Sequence, residues 1–141
     1  MQRRILVPAT KSDHSELSKM YLGLRADERM DDIMTDDQVS DKMLYFLNDK
    51  NYSTFKILQD GCLAGYALIE LSREPLYLKH LYIKPENRRK GHGSFTIHEL
   101  LKIFSKTQIE IEVMIWNEDA IKFYENIGFN KRIIGMRLSE Q

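Results

Sequence analysis

The stretch from residue 84 to residue 94, KPENRRKGHGS, most constrains the fold, because a strand-like pattern gives way there to a helix-like one. Apolar residues after it recur at helical spacing: Ile97, Leu100, Leu101 and Phe104. The first turn of a helix carries four backbone N–H groups without internal partners, at the positive end of its dipole. Gly91 and Gly93 would let an anion approach these groups, and the preceding basic residues add charge. The stretch therefore predicts either a strand–turn–helix unit that holds a phosphorylated ligand or a solvated basic turn.

The first third of the chain predicts one strand and two helices. A short apolar run at residues 5–7 is ended by Pro8, and Ser12 or Asp13 can cap the helix that follows. That helix places four apolar residues on one face: Leu17, Met20, Tyr21 and Leu24. Residues 25–34 are predicted to be a charged loop. Thr35 and Gln38 then form a capping-box pattern before a second apolar stripe: Val39, Met43, Phe46 and Leu47.

The remainder predicts five further strands and two helices. Two strand-like runs, 52–59 and 62–71, flank Asp60-Gly61, a strong hairpin signal, and a third run follows at 76–83. Residues 108–116 alternate between apolar and polar, and residues 129–138 are the last strand candidate. A short helix between them is capped by Asn117 and closed by Gly128. The predicted order is βααβββαβαβ, a mixed α/β fold of one domain over residues 1–141, with a sheet between helices.

Composition excludes several classes of function. The net charge is zero, which disfavours a nucleic-acid binder, and no apolar stretch approaches the ~18 residues of a membrane span. The apolar run at the N-terminus is too short for a signal peptide, so we expect a cytoplasmic protein. The single cysteine, Cys62, has apolar neighbours and is expected to be buried in a strand. No metal site is predicted, since His92 and His98 lie on different faces of a helix.

Two motifs together resemble the GNAT superfamily of N-acyltransferases. Arg88-x-x-Gly91-x-Gly93 resembles that family's signature for the pyrophosphate of acyl-coenzyme A. Asn117-x-x-Ala120-x-x-x-Tyr124-x-x-x-Gly-Phe resembles its second signature. With the element order, the resemblance covers nearly the whole chain. It implies a mostly antiparallel central sheet with helices on both faces, and a central strand pair that splays apart.

The resemblance also implies a binding site for acetyl-CoA. Main-chain N–H groups of the turn would hold the pyrophosphate, and Arg88 or Arg89 would add charge. The residues that carry these N–H groups are Arg89, Lys90, Gly91, His92, Gly93 and Ser94. Backbone groups near Leu81 and Ile83 would pair with the pantetheine arm as with an added strand. A bulge in that strand is expected, since strict alternation would place Lys79 among its apolar residues. Asn117, with Ala120 of the same motif, would contact the pantetheine.

The implied reaction needs an acid and a base. An acceptor amine is protonated at neutral pH, so a base must remove a proton before attack, and the departing thiolate must then gain one. Tyr124 is the candidate acid, or else a helix aromatic packed on the sheet. Glu112 is the first candidate base, although Glu110 shares its strand face and both could be solvated. His80 is the second candidate, because its ordinary pKa is near 6.5 and it lies on the strand before the turn; the alternative is a structural histidine among apolar neighbours.

The acceptor is predicted only as a primary amine of a small molecule or peptide. A cationic acceptor would be attracted by an acidic cluster, although such residues also occur at ordinary helix starts: Asp27, Glu28, Asp31, Asp32, Asp36, Asp37 and Asp41. Family members usually end in a two-strand hairpin, whereas only residues 129–141 remain here, so the acceptor side is expected to be open or completed by a second copy in a homodimer. The alternative to an enzyme is a catalytically silent acyl-CoA-binding module.

Overall fold

The computed structural model describes residues 3–141, so Met1 and Gln2 of the predicted domain lie outside the described residues. Four helices and five strands follow one another in the order βααβββαβα, with short 3-10 turns before the first helix and after the fourth strand. Their bounds are β1 Arg4–Pro8, α1 His14–Glu28, α2 Asp36–Asn48, β2 Tyr52–Gln59, β3 Cys62–Glu70, β4 Leu76–Ile83, α3 His92–Ile103, β5 Ile109–Glu110 and α4 Glu118–Ile127.

The five strands form one sheet in sequence order, antiparallel except for the parallel pair β4–β5. The predicted hairpin between β2 and β3 is confirmed, because Asp60 and Gly61 both have positive φ, 51° and 83°, as a tight two-residue turn requires. The predicted bulge in β4 is also confirmed. Leu68 pairs with His80 and Ile69 with Leu78, which leaves Lys79 without an opposite residue.

Helices cover both faces of the sheet, as predicted. One core joins α1 and α2 to one face: Leu17, Met20, Tyr21, Leu24, Val39, Met43, Phe46, Tyr66, Leu68 and Tyr82. The other joins α3 to the opposite face, with α4 packed against it: Phe55, Ala67, Ile69, Leu76, Leu78, Ile97 and Leu100. The capping box at α2 is formed as predicted, with the Thr35 hydroxyl accepting from the Gln38 N–H at 3.1 Å.

The C-terminal third departs from the prediction. Only Ile109 and Glu110 of the predicted strand 108–116 join the sheet, opposite Leu76 and Tyr77, and residues 111–116 are assigned to no strand. The predicted strand 129–138 is not formed either, and its large apolar side chains are exposed: Ile133, Ile134, Met136 and Leu138. The two errors share a cause, because a strand exists only with a ladder partner and each of these segments lacks one among the described residues.

Two smaller predictions were also wrong. Helix α1 continues to Glu28, so the first residues of the predicted charged loop 25–34 are helical. The helix ends where Arg29 adopts the left-handed conformation, with φ of 49°. Cys62 is exposed rather than buried, because it is the first residue of β3, next to the hairpin turn. None of the helices formed by residues 3–141 is long and apolar enough to cross a bilayer.

Candidate functional site

The turn between β4 and α3 has the backbone of an anion-binding nest. Arg89 and Gly91 have positive φ, 63° and 84°, whereas Lys90 between them does not. Alternation of this kind points successive N–H groups into one concavity. Helix α3 begins at His92, directly after the turn, so its own first N–H groups add to the same end.

The main-chain N–H groups of residues 89–94 have no acceptor within residues 3–141; the first helical bond after the turn runs from Phe95 N–H to the Gly91 oxygen at 3.1 Å. The carbonyl groups, by contrast, are held from the other side by Arg4 of β1. Its guanidinium donates to the oxygens of Lys90 and Gly91, the latter at 3.4 Å, and to the Gln59 side chain at 3.3 Å. With the carbonyls held, the free N–H groups form a site that fits linked phosphates.

The side chains of the turn divide into exposed cations and buried or engaged groups. Arg89 and Lys90 are exposed. Arg88 is engaged, since its Nε donates to the Ile83 oxygen at 2.8 Å and its guanidinium pairs with Asp27 at 2.6 Å. His92 is 2% exposed, and neither of its ring nitrogens is paired among the described residues. Burial, then the charges of Arg4 and Lys90, lowers the pKa of His92. The structure thus leaves Arg89 and Lys90 as the cations of the turn that have no carboxylate partner among the described residues.

Gly93 connects the turn to α4. A Cβ at this position would overlap the tip of the Phe123 ring, so a larger residue would force that ring to move from its place on the first turn of α3. Phe123 precedes Tyr124, whose ring packs against Phe123 and Phe129 at centroid distances of 4.9 Å and 5.3 Å. Tyr124, the predicted acid, therefore lies on α4, the helix that packs next to the predicted pyrophosphate cradle.

The edge of β4 beyond its bulge is open. The Lys84 N–H donates to the Ala64 oxygen at 2.8 Å, so the main-chain groups of Lys84, and of every second residue before it up to the bulge, face β3. By the alternation of an antiparallel ladder, the main-chain groups of Leu81 and Ile83 point away from β3. Strand β5 pairs only with the first two residues of β4, so a slot runs along this edge. The Ile83 oxygen is occupied by Arg88, which leaves the Ile83 N–H and both Leu81 groups facing the slot.

The second motif builds the start of α4. The Asn117 side chain caps the helix, with its Oδ1 accepting from the Ala120 N–H at 3.3 Å. The Tyr124 hydroxyl makes no hydrogen bond within the described part of the chain. Burial, with a smaller contribution from the charge of Glu28, raises the pKa of Tyr124. The raised pKa keeps the phenol protonated at neutral pH, and the hydroxyl, unpaired among the described residues, still has its proton to give to a thiolate.

The two predicted bases lie in different surroundings. Glu112 is exposed, and it accepts a hydrogen bond from the Tyr77 hydroxyl at 2.7 Å and lies 3.7 Å from the Arg73 guanidinium. His80 is buried, with its Nδ1 3.0 Å from the Tyr66 hydroxyl and its ring 4.5 Å from that of Tyr21. Burial, then the charge of Lys79, lowers the pKa of His80 to about 3. The surroundings of His80 favour a structural role.

Three members of the predicted acidic cluster are already paired with arginines. Asp27 binds Arg88, Asp32 binds Arg25 at 2.9 Å, and Asp31 binds Arg137 at 3.3 Å. Asp36 and Asp37 occupy the first turn of α2, where carboxylates stabilise the helix dipole. Pairing of this kind reduces the field that the cluster can present to a cationic acceptor.

Sequence reasoning missed Arg4 near the turn and misplaced Glu28 near the slot. Arg4 is remote in sequence from the turn it supports, and only the pairing of β1 with β2 brings it there. Glu28 belongs to the predicted acidic cluster and to the predicted loop 25–34, whereas in the structure it lies four residues after Leu24 and continues the apolar stripe of α1. That spacing was the available signal for Glu28, whereas no local pattern could have found Arg4.

Comparison with known proteins agrees with this geometry. The family model described as "Acetyltransferase (GNAT) family" matches residues 14–129. The chain is 26% identical over 98 residues to the [ribosomal protein bS18]-alanine N-acetyltransferase of Escherichia coli, covering 67% of this chain and 66% of that protein. It is 30% identical over 78 residues to the thialysine N-epsilon-acetyltransferase of Sus scrofa, covering 50% and 46%. The chain thus spans just under two thirds of the first relative's length and about half of the second's.

A solved aminoglycoside N-acetyltransferase in complex with CoA superposes on the structure with a TM-score of 0.72, at 14% identity, covering 98% of this chain and 96% of that one. The fold is therefore shared at low identity, while the match of the family model extends from the first residue of α1 past the end of α4. The chain belongs to the GNAT acetyltransferase family.

Proposed function

We propose that this chain is an N-acetyltransferase that moves an acetyl group from acetyl-CoA directly to a primary amine, with both substrates bound together. The observation that carries the proposal is the row of unpaired N–H groups at residues 89–94, placed beside the open edge of β4. A cradle for linked phosphates and an edge that can accept an amide-bearing arm are together what a coenzyme A thioester needs.

Each candidate group has a role in this proposal. The nest would bind the pyrophosphate, with Arg89 and Lys90 supplying charge, and the Leu81 and Ile83 groups would pair with the pantetheine. A main-chain N–H in the slot would polarise the thioester carbonyl. Bound acetyl-CoA supplies the activated acyl group. Tyr124 would return a proton to the departing thiolate, since its hydroxyl has no competing partner among the described residues.

The acceptor is proposed to be an amine that is cationic in solution. The two relatives named above are, by their names, an N-acetyltransferase for an alanine of a ribosomal protein and an N-epsilon-acetyltransferase for thialysine, and both names describe amine acceptors. The acids of α2 that no arginine holds are the ones to test. Replacing Asp36, Asp37 and Asp41 by asparagine should raise KM for cationic amines, and an unchanged KM would remove the acidic cluster from acceptor binding.

The acceptor side admits two arrangements, one open to solvent and one completed by a second copy. Residues 111–116 have no ladder partner among residues 3–141, and the segment 129–141 exposes several large apolar side chains. Both features suit a partner surface as well as an open cleft. Sedimentation at micromolar concentration separates the two, because a monomer excludes the homodimer. The cytoplasmic location stays a prediction.

The proposal is tested by measuring free thiol released from acetyl-CoA in the presence of an amine panel: thialysine, a peptide beginning with alanine, and an aminoglycoside. Calorimetry with acetyl-CoA tests binding separately. Thiol release that depends on an amine supports the proposed acetyltransferase activity. Binding of acetyl-CoA without release with any amine would instead identify a silent acyl-CoA-binding module.

A further inference from the structure

The C-terminal end of α1 is bonded to the segments that follow β4 and β5, on both sides of the slot. On the β4 side, Asp27 pairs with Arg88 at 2.6 Å. In the segment that follows β5, the Trp116 indole N–H donates to the main-chain oxygen of Glu28 at 3.0 Å, and the Arg29 guanidinium donates to the main-chain oxygen of Trp116. The residue between these two attachments is Glu28.

The Glu28 side chain lies on the face of α1 that packs on the sheet. It follows Leu24 by four residues and Tyr21 by seven, and both of those are buried in the core. The carboxylate is half-buried and forms no hydrogen bond or ion pair within residues 3–141. An unpaired carboxylate in such a position is unfavourable unless a ligand compensates it.

From this placement we infer that Glu28 is the base that removes the proton from the incoming ammonium group, a role that rests on the proposed acetyltransferase function. The Glu28 carboxylate takes one proton from the alkylammonium, and the free amine attacks the thioester carbonyl carbon. The C–N bond forms, the C–S bond breaks, and the thiolate takes the proton of the Tyr124 hydroxyl. The amine nitrogen then gives its surplus proton to the tyrosinate, and Glu28 releases the first proton to solvent.

The electrostatic surroundings support this role. Burial, with a smaller contribution from Asp27 and opposed by Arg25, raises the pKa of Glu28 to about 7. A base with a pKa near the working pH combines a large ionised fraction with a strong drive to take the proton. The charged and titratable groups around Glu28 are Arg25, Asp27 and Tyr21 on α1, Arg29 after it, Tyr66 on β3, Arg88 after β4 and Tyr124 on α4.

Glu28 is better placed than the two bases predicted from sequence. Glu112 is exposed and already bonded to Tyr77. His80 is bonded to Tyr66 in the core, and its lowered pKa leaves it a weak proton acceptor. Glu28 alone of the three combines partial burial with an unpaired carboxylate beside the slot.

The test compares pH profiles of kcat, measured by thiol release with saturating acetyl-CoA and the best amine of the panel. The wild-type rate should rise with pH through an apparent pKa near 7, because only the ionised carboxylate accepts a proton. Glu28→Gln should lower kcat about 100-fold or more and abolish that acidic limb, while leaving the Kd of acetyl-CoA within twofold. Glu28→Asp should keep the limb at a lower kcat, and Glu16→Gln on the same helix should match the wild type.

Two results would overturn the inference. An acidic limb that persists in Glu28→Gln would assign the base elsewhere, and the same limb lost in Glu112→Gln would identify Glu112. A raised amine KM with kcat retained would make Glu28 a binding residue and not a base. If the wild-type protein binds acetyl-CoA but releases thiol with none of the amines, the proposed function fails, and this inference fails with it.

Discussion

The raised pKa of Glu28 predicts a pH-dependent loss of stability that is independent of catalysis. The ordinary pKa of 4.5 describes the unfolded chain, and burial raises the folded value to about 7. The folded state therefore holds this proton more tightly than the unfolded state does. The contribution of the protonated carboxyl to stability is fully present below pH 4.5 and is lost as pH rises through about 7.

The size of the effect follows from the two values. A rise from 4.5 to about 7 corresponds to a ceiling of about 3.4 kcal/mol, at 1.36 kcal/mol per pKa unit. Because the side chain is only half-buried, solvent screening reduces this, and we expect about 1–3 kcal/mol. Glu28→Gln removes the titration and nearly preserves the shape. The variant should therefore gain this amount in unfolding free energy, relative to the wild type, between pH 4.5 and pH 8.

Urea unfolding of the wild type and Glu28→Gln at both pH values gives the double difference directly, and other titrating groups cancel in it. Glu16→Gln is the matched control, since its carboxylate is exposed and lies on the same helix. Parallel stability curves for the wild type and Glu28→Gln would refute the reasoning, because they would show that Glu28 titrates alike in the folded and unfolded states.

Three further changes test the site. Gly93→Ala should cost about 1–3 kcal/mol in unfolding free energy through overlap with Phe123. In urea unfolding, the double variant with Phe123→Ala should lose less stability than the sum of the two single variants, and strict additivity would contradict the contact. Arg4→Ala should raise the Kd of acetyl-CoA about tenfold in calorimetry, because the turn loses a charged donor to its carbonyls, and Arg4→Lys should have an intermediate Kd. Equal affinities would show that the turn keeps its conformation without Arg4. Tyr124→Phe should lower kcat about 100-fold without changing acetyl-CoA affinity, and an unchanged kcat would exclude the acid role.

Local patterns predicted the parts of the fold that depend on near neighbours in sequence. Asp60-Gly61 gave the hairpin, Thr35 and Gln38 gave the start of α2, and the misplaced Lys79 gave the bulge. Each of these features is determined by turn chemistry, capping or alternation. The same reasoning located the turn at residues 84–94, because a change of period and two glycines mark it.

The rest could not be predicted because it depends on distant partners. Residues 111–116 alternate as a strand should, yet β4 pairs only with the two residues before them, and no described strand lies on their other side. Arg4 reaches the turn only through the sheet. Glu28 acquires its surroundings from β3 and α4, and the charged sequence around it resembles an ordinary loop. Local sequence patterns therefore predicted the residues of the two motifs but not the long-range contacts that support them.

The central claim is that main-chain N–H groups of residues 89–94 bind the pyrophosphate of coenzyme A. Amide NMR spectra recorded during titration with CoA, and separately with pantetheine, which lacks the pyrophosphate, test it most directly. We predict large shifts of these amides with CoA and small ones with pantetheine, while the Leu81 and Ile83 amides respond to both. Binding of CoA that leaves the amides of residues 89–94 unshifted would contradict the account.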